Sequence, residues 1–84
     1  MLLSTETQSQ QKLVHPVKPG VQLTKREIEV LRLTVKGYTA KKIARFLQLS
    51  HRTVEEYLAN IKIKMGAASK SDLIAMGSDY FAGL

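Results

Sequence analysis

Cysteine is absent from all 84 residues. This excludes disulfides, thiolate metal sites and a cysteine nucleophile, and it suits a reducing cytoplasm, the compartment expected here. The only histidines, His15 and His51, offer no ligand pair at metal spacing. No glycine-rich phosphate loop and no nucleophile–base constellation is present. Accordingly no cofactor, no metal and no catalytic activity is expected. The longest apolar run is a few residues, far short of the roughly 20 needed to span a membrane. Residues 1–20 also lack the basic start and apolar core of an export signal.

What the chain does have is positive charge. Thirteen Lys and Arg face seven acids, a formal net charge of +6. From Thr24 onward 11 basic and 6 acidic residues remain, so +5 of it lies in the part expected to fold. Such a balance favours polyanions, with nucleic acid first and acidic membrane second. A chain of this length makes one domain with a modest core.

Residues 1–22 are rich in Gln, Ser and Thr and close on Pro16, Pro19 and Gly20. They read as a flexible leader or linker. Its apolar residues (Leu2, Leu3, Leu13, Val14 and Val17) leave docking on the domain open, and His15 has no partner in view. The domain is expected over 23–84.

Four helices and no strand are expected there. Thr24-Lys25-Arg26-Glu27 has the form of a capping box and starts a first helix over about 25–36. Its inward face is read as Ile28, Leu31 and Val35, widened by Val30 and Leu33, with Gly37 as a left-handed cap. Thr39 caps a short second helix, about 40–47, with Ile43, Ala44 and Leu47 inward. Gln48-Leu49-Ser50 makes the turn, Leu49 plugging the core and Ser50 capping a third helix, about 51–65. Val54, Leu58, Ile61 and Met65 share one stripe of that helix. The opposite face carries Arg52, Glu56, Ala59, Asn60 and Ile63, flanked by Glu55 and Lys62. Gly66 ends it. Ser69-Lys70-Ser71-Asp72 starts a fourth helix, about 70–81, with Leu73, Ile74, Met76, Tyr80 and Phe81 apolar.

These residues resemble the LuxR/FixJ-type helix-turn-helix domain of bacterial transcriptional regulators. The matching elements are Leu23-Thr24 with Arg26-Glu27, Gly37 with Thr39, Ile43-Ala44, Ser50 with Thr53-Val54, Ile61 with Lys64-Met65-Gly66, and Ser69-Lys70 with Leu73. Each is weak alone, but their order and spacing make the match specific, and it covers nearly all of the foldable chain. The resemblance implies that the third helix is the recognition helix, lying in the major groove of double-stranded DNA, while the second crosses the backbone behind it. It also implies a homodimer on DNA through the fourth helix, for which Leu73, Met76 and Tyr80 are the candidates, and it leaves RNA polymerase open as a further partner. In a dimer, two such helices lie about one DNA turn apart. The family domain usually follows a receiver or ligand-binding domain. This chain therefore reads as a fragment whose leader ends a linker, or as a free-standing regulator.

One departure stands out. Where the family very commonly has lysine after Thr-Val, and histidine soon after, this chain has Glu55-Glu56-Tyr57. A carboxylate cannot neutralise phosphate, but it can accept from cytosine N4. Arg52, Glu55, Glu56 and Ala59 are the base-contact candidates, although glutamates near a helix start also complement its dipole. Thr39, Lys41, Lys42, His51, Thr53, Asn60 and Lys64 are the backbone-contact candidates. Lysines at 41 and 42 oppose the dipole of the second helix, which points to phosphate, whereas Lys64 suits its own helix end equally well. Tyr57 reads either as a core-edge aromatic or as a backbone-contacting hydroxyl.

Two rivals remain. One is a protein-interaction module on the same scaffold, with little DNA affinity, that modulates another regulator through the acid pair and the fourth helix. The other is a basic surface for anionic membrane. Mutual packing of the apolar stripes disfavours the second, so no membrane partner is expected.

Overall fold

The computed structural model describes residues 22–83. All of the leader except Gln22 lies outside them. The described residues form four helices, α1 (Lys25–Val35), α2 (Ala40–Leu47), α3 (His51–Met65) and α4 (Lys70–Ala82), and no strand.

Each helix starts where a side-chain oxygen can take an otherwise orphaned amide. At α1 the capping box closes both ways. The Glu27 amide donates to the Thr24 hydroxyl at 3.1 Å and the Thr24 amide donates to the Glu27 carboxylate at 2.8 Å. Thr39 accepts from the Lys42 amide, Ser50 from Thr53 and Ser69 from Asp72, each at 3.0–3.1 Å. Helix α1 gives way at Lys36 to Gly37, whose φ of +96° suits glycine, and α3 closes on Gly66 at +76°. Gln48, at φ 58°, takes the same left-handed conformation between α2 and α3 without being glycine. Its amide donates to the Arg45 carbonyl and that of Leu49 to Ala44, which turns the chain sharply into Ser50.

The core is Val30, Leu31 and Leu33 of α1, Ile43 and Ala44 of α2, Val54, Leu58, Ile61 and Met65 of α3, and Leu73 of α4. Leu47 and Leu49 pack against it, half-buried. Helices α2 and α3 form the helix-turn-helix pair, and α1 packs on all three others. Among the described residues α2 and α4 do not touch.

The first helix is turned from the face expected of it. Val30, Leu31 and Leu33 are buried as expected, but Glu27 and Thr34 are buried with them, while Ile28 and Val35 are only half-buried. The two polar residues are buried because each finds a partner inside. The Thr34 hydroxyl donates to the Val30 carbonyl at 2.8 Å. Glu27, 4% exposed, accepts from the Lys64 ammonium at 2.8 Å across from the end of α3.

Close approach of α4 to α1 rests on Gly77. A Cβ there would lie 2.6 Å from Val35 Cγ2 and 3.0 Å from Leu31 Cδ1. Leu73, expected at a dimer contact, is fully buried within the chain and offers no surface to a second copy in this fold. Met76 is half-buried, and so is Tyr80, set edge-on against Phe81 at 5.2 Å between ring centroids.

Candidate nucleic-acid interface

Two helix surfaces meet at the turn. Leu47 and His51 are four residues apart, so the end of α2 and the start of α3 lie within about 14 Å by chain reach. The exposed side of α2 carries Lys41, Lys42, Arg45 and Phe46, at helical spacings that put them on one face. With Thr39 they line one shallow, open depression. Lys42 Nζ stands 4.4 Å over the Tyr38 ring, and Phe46 packs edge-on to the same ring at 6.0 Å. Phe46 is nevertheless 63% exposed. Lys41 and Arg45 have no acidic partner among the described residues. The face holds three cations and no acid.

Arg45 and Phe46 were not among the sequence-derived candidates. The signal was available: positions 41, 42, 45 and 46 are i, i+1, i+4 and i+5, and Ile43 and Ala44 had already fixed the buried side.

On α3 the stripe Val54, Leu58, Ile61 and Met65 is buried as expected. This leaves Arg52, Glu55, Glu56, Ala59, Asn60 and Ile63 facing outward. Ile63 is 69% exposed on this face, one turn beyond Ala59. At the start of α3 the polar side chains meet in pairs. His51 Nε2 lies 3.2 Å from Glu55 and Arg52 Nε 3.3 Å from Glu56, each at i,i+4. The first turn of α3 contains no acid, and both glutamates start beyond it. Complementarity to the dipole, which fades within a turn, therefore does not account for them.

The remaining candidates divide. Asn60 stays outward, and Thr39 is exposed while capping α2. The half-buried Thr53 hydroxyl accepts from Ser50 Oγ at 2.8 Å. Tyr57 is half-buried and packs against the core, which is the core-edge reading. Lys64 is half-buried and already engaged: its ammonium donates to Glu27 and, at 3.3 Å, to the Gln22 carbonyl. Burial pushes the Glu27 carboxyl up, but the Lys64 hydrogen bond and charge and the two Thr24 bonds outweigh it, so the group is held below its ordinary range. This contact ties the end of α3 to the start of α1.

No helix among the described residues is long and apolar enough to cross a membrane, and no group of three or more acidic, histidine or cysteine side chains there forms a metal-binding cluster.

Comparison with known proteins adds to this geometry. The family described as bacterial regulatory proteins, luxR family, matches residues 21–77. An uncharacterized response regulatory protein of Escherichia coli K12, YgeK, is 51% identical over 53 residues, covering 63% of this chain and 36% of that protein. The oxygen regulatory protein NreC of Staphylococcus aureus is 41% identical over 66 residues, covering 79% of this chain and 30% of that protein. Among solved structures, a phage VqmA–DPO complex superposes with a TM-score of 0.67 at 36% identity, covering 93% of this chain and 34% of that one. The Vibrio cholerae VqmA dimer, a LuxR-type receptor seen without its target DNA, gives 0.67 at 37%, covering 93% and 35%. The chain spans about a third of the length of these relatives.

Proposed function

The chain belongs to the luxR family of bacterial regulatory proteins, and we propose that it binds double-stranded DNA in the regulation of transcription, in the cytoplasm, as a homodimer. The observation that carries this reading is the unpaired cationic face of α2 beside the exposed outer face of α3. In this reading α3 enters the major groove, and Arg52, Glu55, Glu56, Ala59 and Asn60 face the bases. Lys41, Lys42 and Arg45 neutralise phosphates and release counterions, a sequence-independent source of affinity. Thr39 and the first amides of α2 hold a phosphate oxygen, since a helix N-terminus carries partial positive charge. His51 and Thr53 stand near the backbone at the start of α3. Lys64, tied to Glu27, holds α3 in place instead of meeting phosphate.

Dimerisation through α4 rests on Met76 and Tyr80 in this reading, with Leu73 serving the core alone. RNA polymerase is a further partner in this reading. That VqmA is a LuxR-type receptor with a target DNA, and that YgeK and NreC are named as regulatory proteins, supports the same direction.

The test is selection of fragments from a genomic DNA pool by the purified chain at near-physiological salt. A two-fold symmetric motif is the expected result, with affinity falling steeply as salt rises. Binding that is salt-sensitive but enriches no motif would remove sequence-specific readout and bring the protein-interaction reading forward.

A further inference from the structure

The pair formed by Arg52 and Glu56 contributes little to stability. Arg52 sits in the first turn of α3, where the helix dipole disfavours a cation. Its side chain is 87% exposed and that of Glu56 65%, so their 3.3 Å contact adds little to folding. An arginine placed N-terminal to its glutamate is also the weaker orientation at this spacing.

The geometry of the contact fits a different role. Glu56 engages Arg52 through Nε. The two terminal guanidinium nitrogens have no acceptor among the described residues, so the contact at Nε leaves the outer edge of the guanidinium free. Two N–H donors in that arrangement match guanine O6 and N7. The second Glu56 oxygen has no donor among the described residues and can accept from cytosine N4, the one base-edge donor in the major groove beside adenine N6. Ala59, exposed and short, follows Glu56 by three positions and keeps the helix surface low at that point. The arginine also offsets the repulsion a bare carboxylate would meet so close to phosphates.

We infer that Arg52 and Glu56 act as one unit that reads G·C pairs. Arg52 donates to a guanine, and Glu56 orients Arg52 while accepting from the cytosine of a neighbouring pair. This rests on the proposed DNA-binding function and narrows the sites that function selects.

The experiment uses the whole 84-residue chain, as wild type, Arg52→Ala and Glu56→Gln, on the site selected from the genomic pool. Both side chains are exposed, and circular dichroism checks that the variants stay folded. Each guanine of the half-site is replaced in turn by 7-deazaguanine, which lacks the N7 acceptor. At one position the wild type is expected to lose about tenfold in affinity. Arg52→Ala should be nearly indifferent to the same replacement. Glu56→Gln should lose most of the discrimination while binding unrelated duplex more tightly, because an anion has gone. A selected motif without guanine, an equal deaza penalty in wild type and Arg52→Ala, or unchanged discrimination in Glu56→Gln would each overturn the inference. Failure of the wild type to bind any duplex at low salt would overturn the proposed function itself, and that is visible before any variant is made.

Discussion

The outer faces of α2 and α3 are neighbours in the chain and opposites in charge design. Helix α2 shows Lys41, Lys42 and Arg45 with no acid among them, and Phe46 exposed in their midst. Helix α3 shows two glutamates at its start, one met by Arg52 and one by His51 within the helix. A face of unpaired cations attracts any polyanion, whatever its sequence. A face whose arginine and two glutamates are each engaged within the helix contributes little attraction and instead presents donors and acceptors, which is what base discrimination needs. Under the proposed function, the difference assigns affinity and selectivity to separate helices of one small motif.

The strongest way to break this contrast is to strip α2. A Lys41→Ala/Lys42→Ala/Arg45→Ala variant should bind every duplex about 100-fold more weakly at moderate salt, with the log–log salt slope shallower by roughly 2–3. Titration of specific and unrelated duplexes across a salt series measures it. A loss confined to the specific site would assign base readout to α2 and collapse the distinction.

The next test loosens α3 from the scaffold that holds its face in position. Lys64→Met leaves the buried Glu27 carboxylate without its cation and should lower stability by about 1–3 kcal/mol at neutral pH. The pH dependence sharpens it. In the wild type the folded-state pKa of Glu27 lies below its ordinary value of 4.5. Its stabilisation is therefore fully present above that value and is lost as pH falls through the lower, folded-state pKa. In Lys64→Met burial is less opposed, so the acid loss should shrink or reverse. Thermal unfolding between pH 7 and pH 3 distinguishes the two profiles.

A third change makes α3 resemble α2. Glu55→Lys/Glu56→Lys should raise affinity for unrelated duplex by about tenfold at low salt while eroding the preference for the selected site. Competition binding reads both effects. Unchanged affinity for unrelated DNA would mean that α3 does not face the duplex.

The smallest effect concerns the joint between the two faces. Gln48 holds φ 58°, a conformation that glycine adopts without a Cβ penalty. Gln48→Gly should raise stability by about 0.5–1 kcal/mol and leave DNA affinity unaltered. Urea unfolding gives the first quantity and a DNA titration the second.

The limits of legibility follow from what a pattern can carry. Helix starts at Thr24, Thr39, Ser50 and Ser69 were readable because capping is local chemistry within four residues. The buried stripe of α3 was readable because its residues are all apolar. That of α1 was misjudged by part of a turn, because Glu27 and Thr34 belong to it and an apolar pattern does not count them. Gly77 gave no signal, since its role is to leave room for Val35 and Leu31 of another helix. Lys64 looked equally suited to phosphate and to its own helix end until Glu27, 37 residues away, came into contact with it.

By itself, then, the sequence determined the four helices, their caps, the α2–α3 turn, the excess of positive charge and the candidate faces, all of which arise from interactions within a turn or two of chain. Tertiary structure alone decided that Lys64 holds α3 to α1, that Leu73 is core instead of surface, and that α4 packs down on Gly77. Those outcomes depend on which residues distant in sequence share a buried volume, where an unpaired charge is costly and two atoms cannot occupy one place.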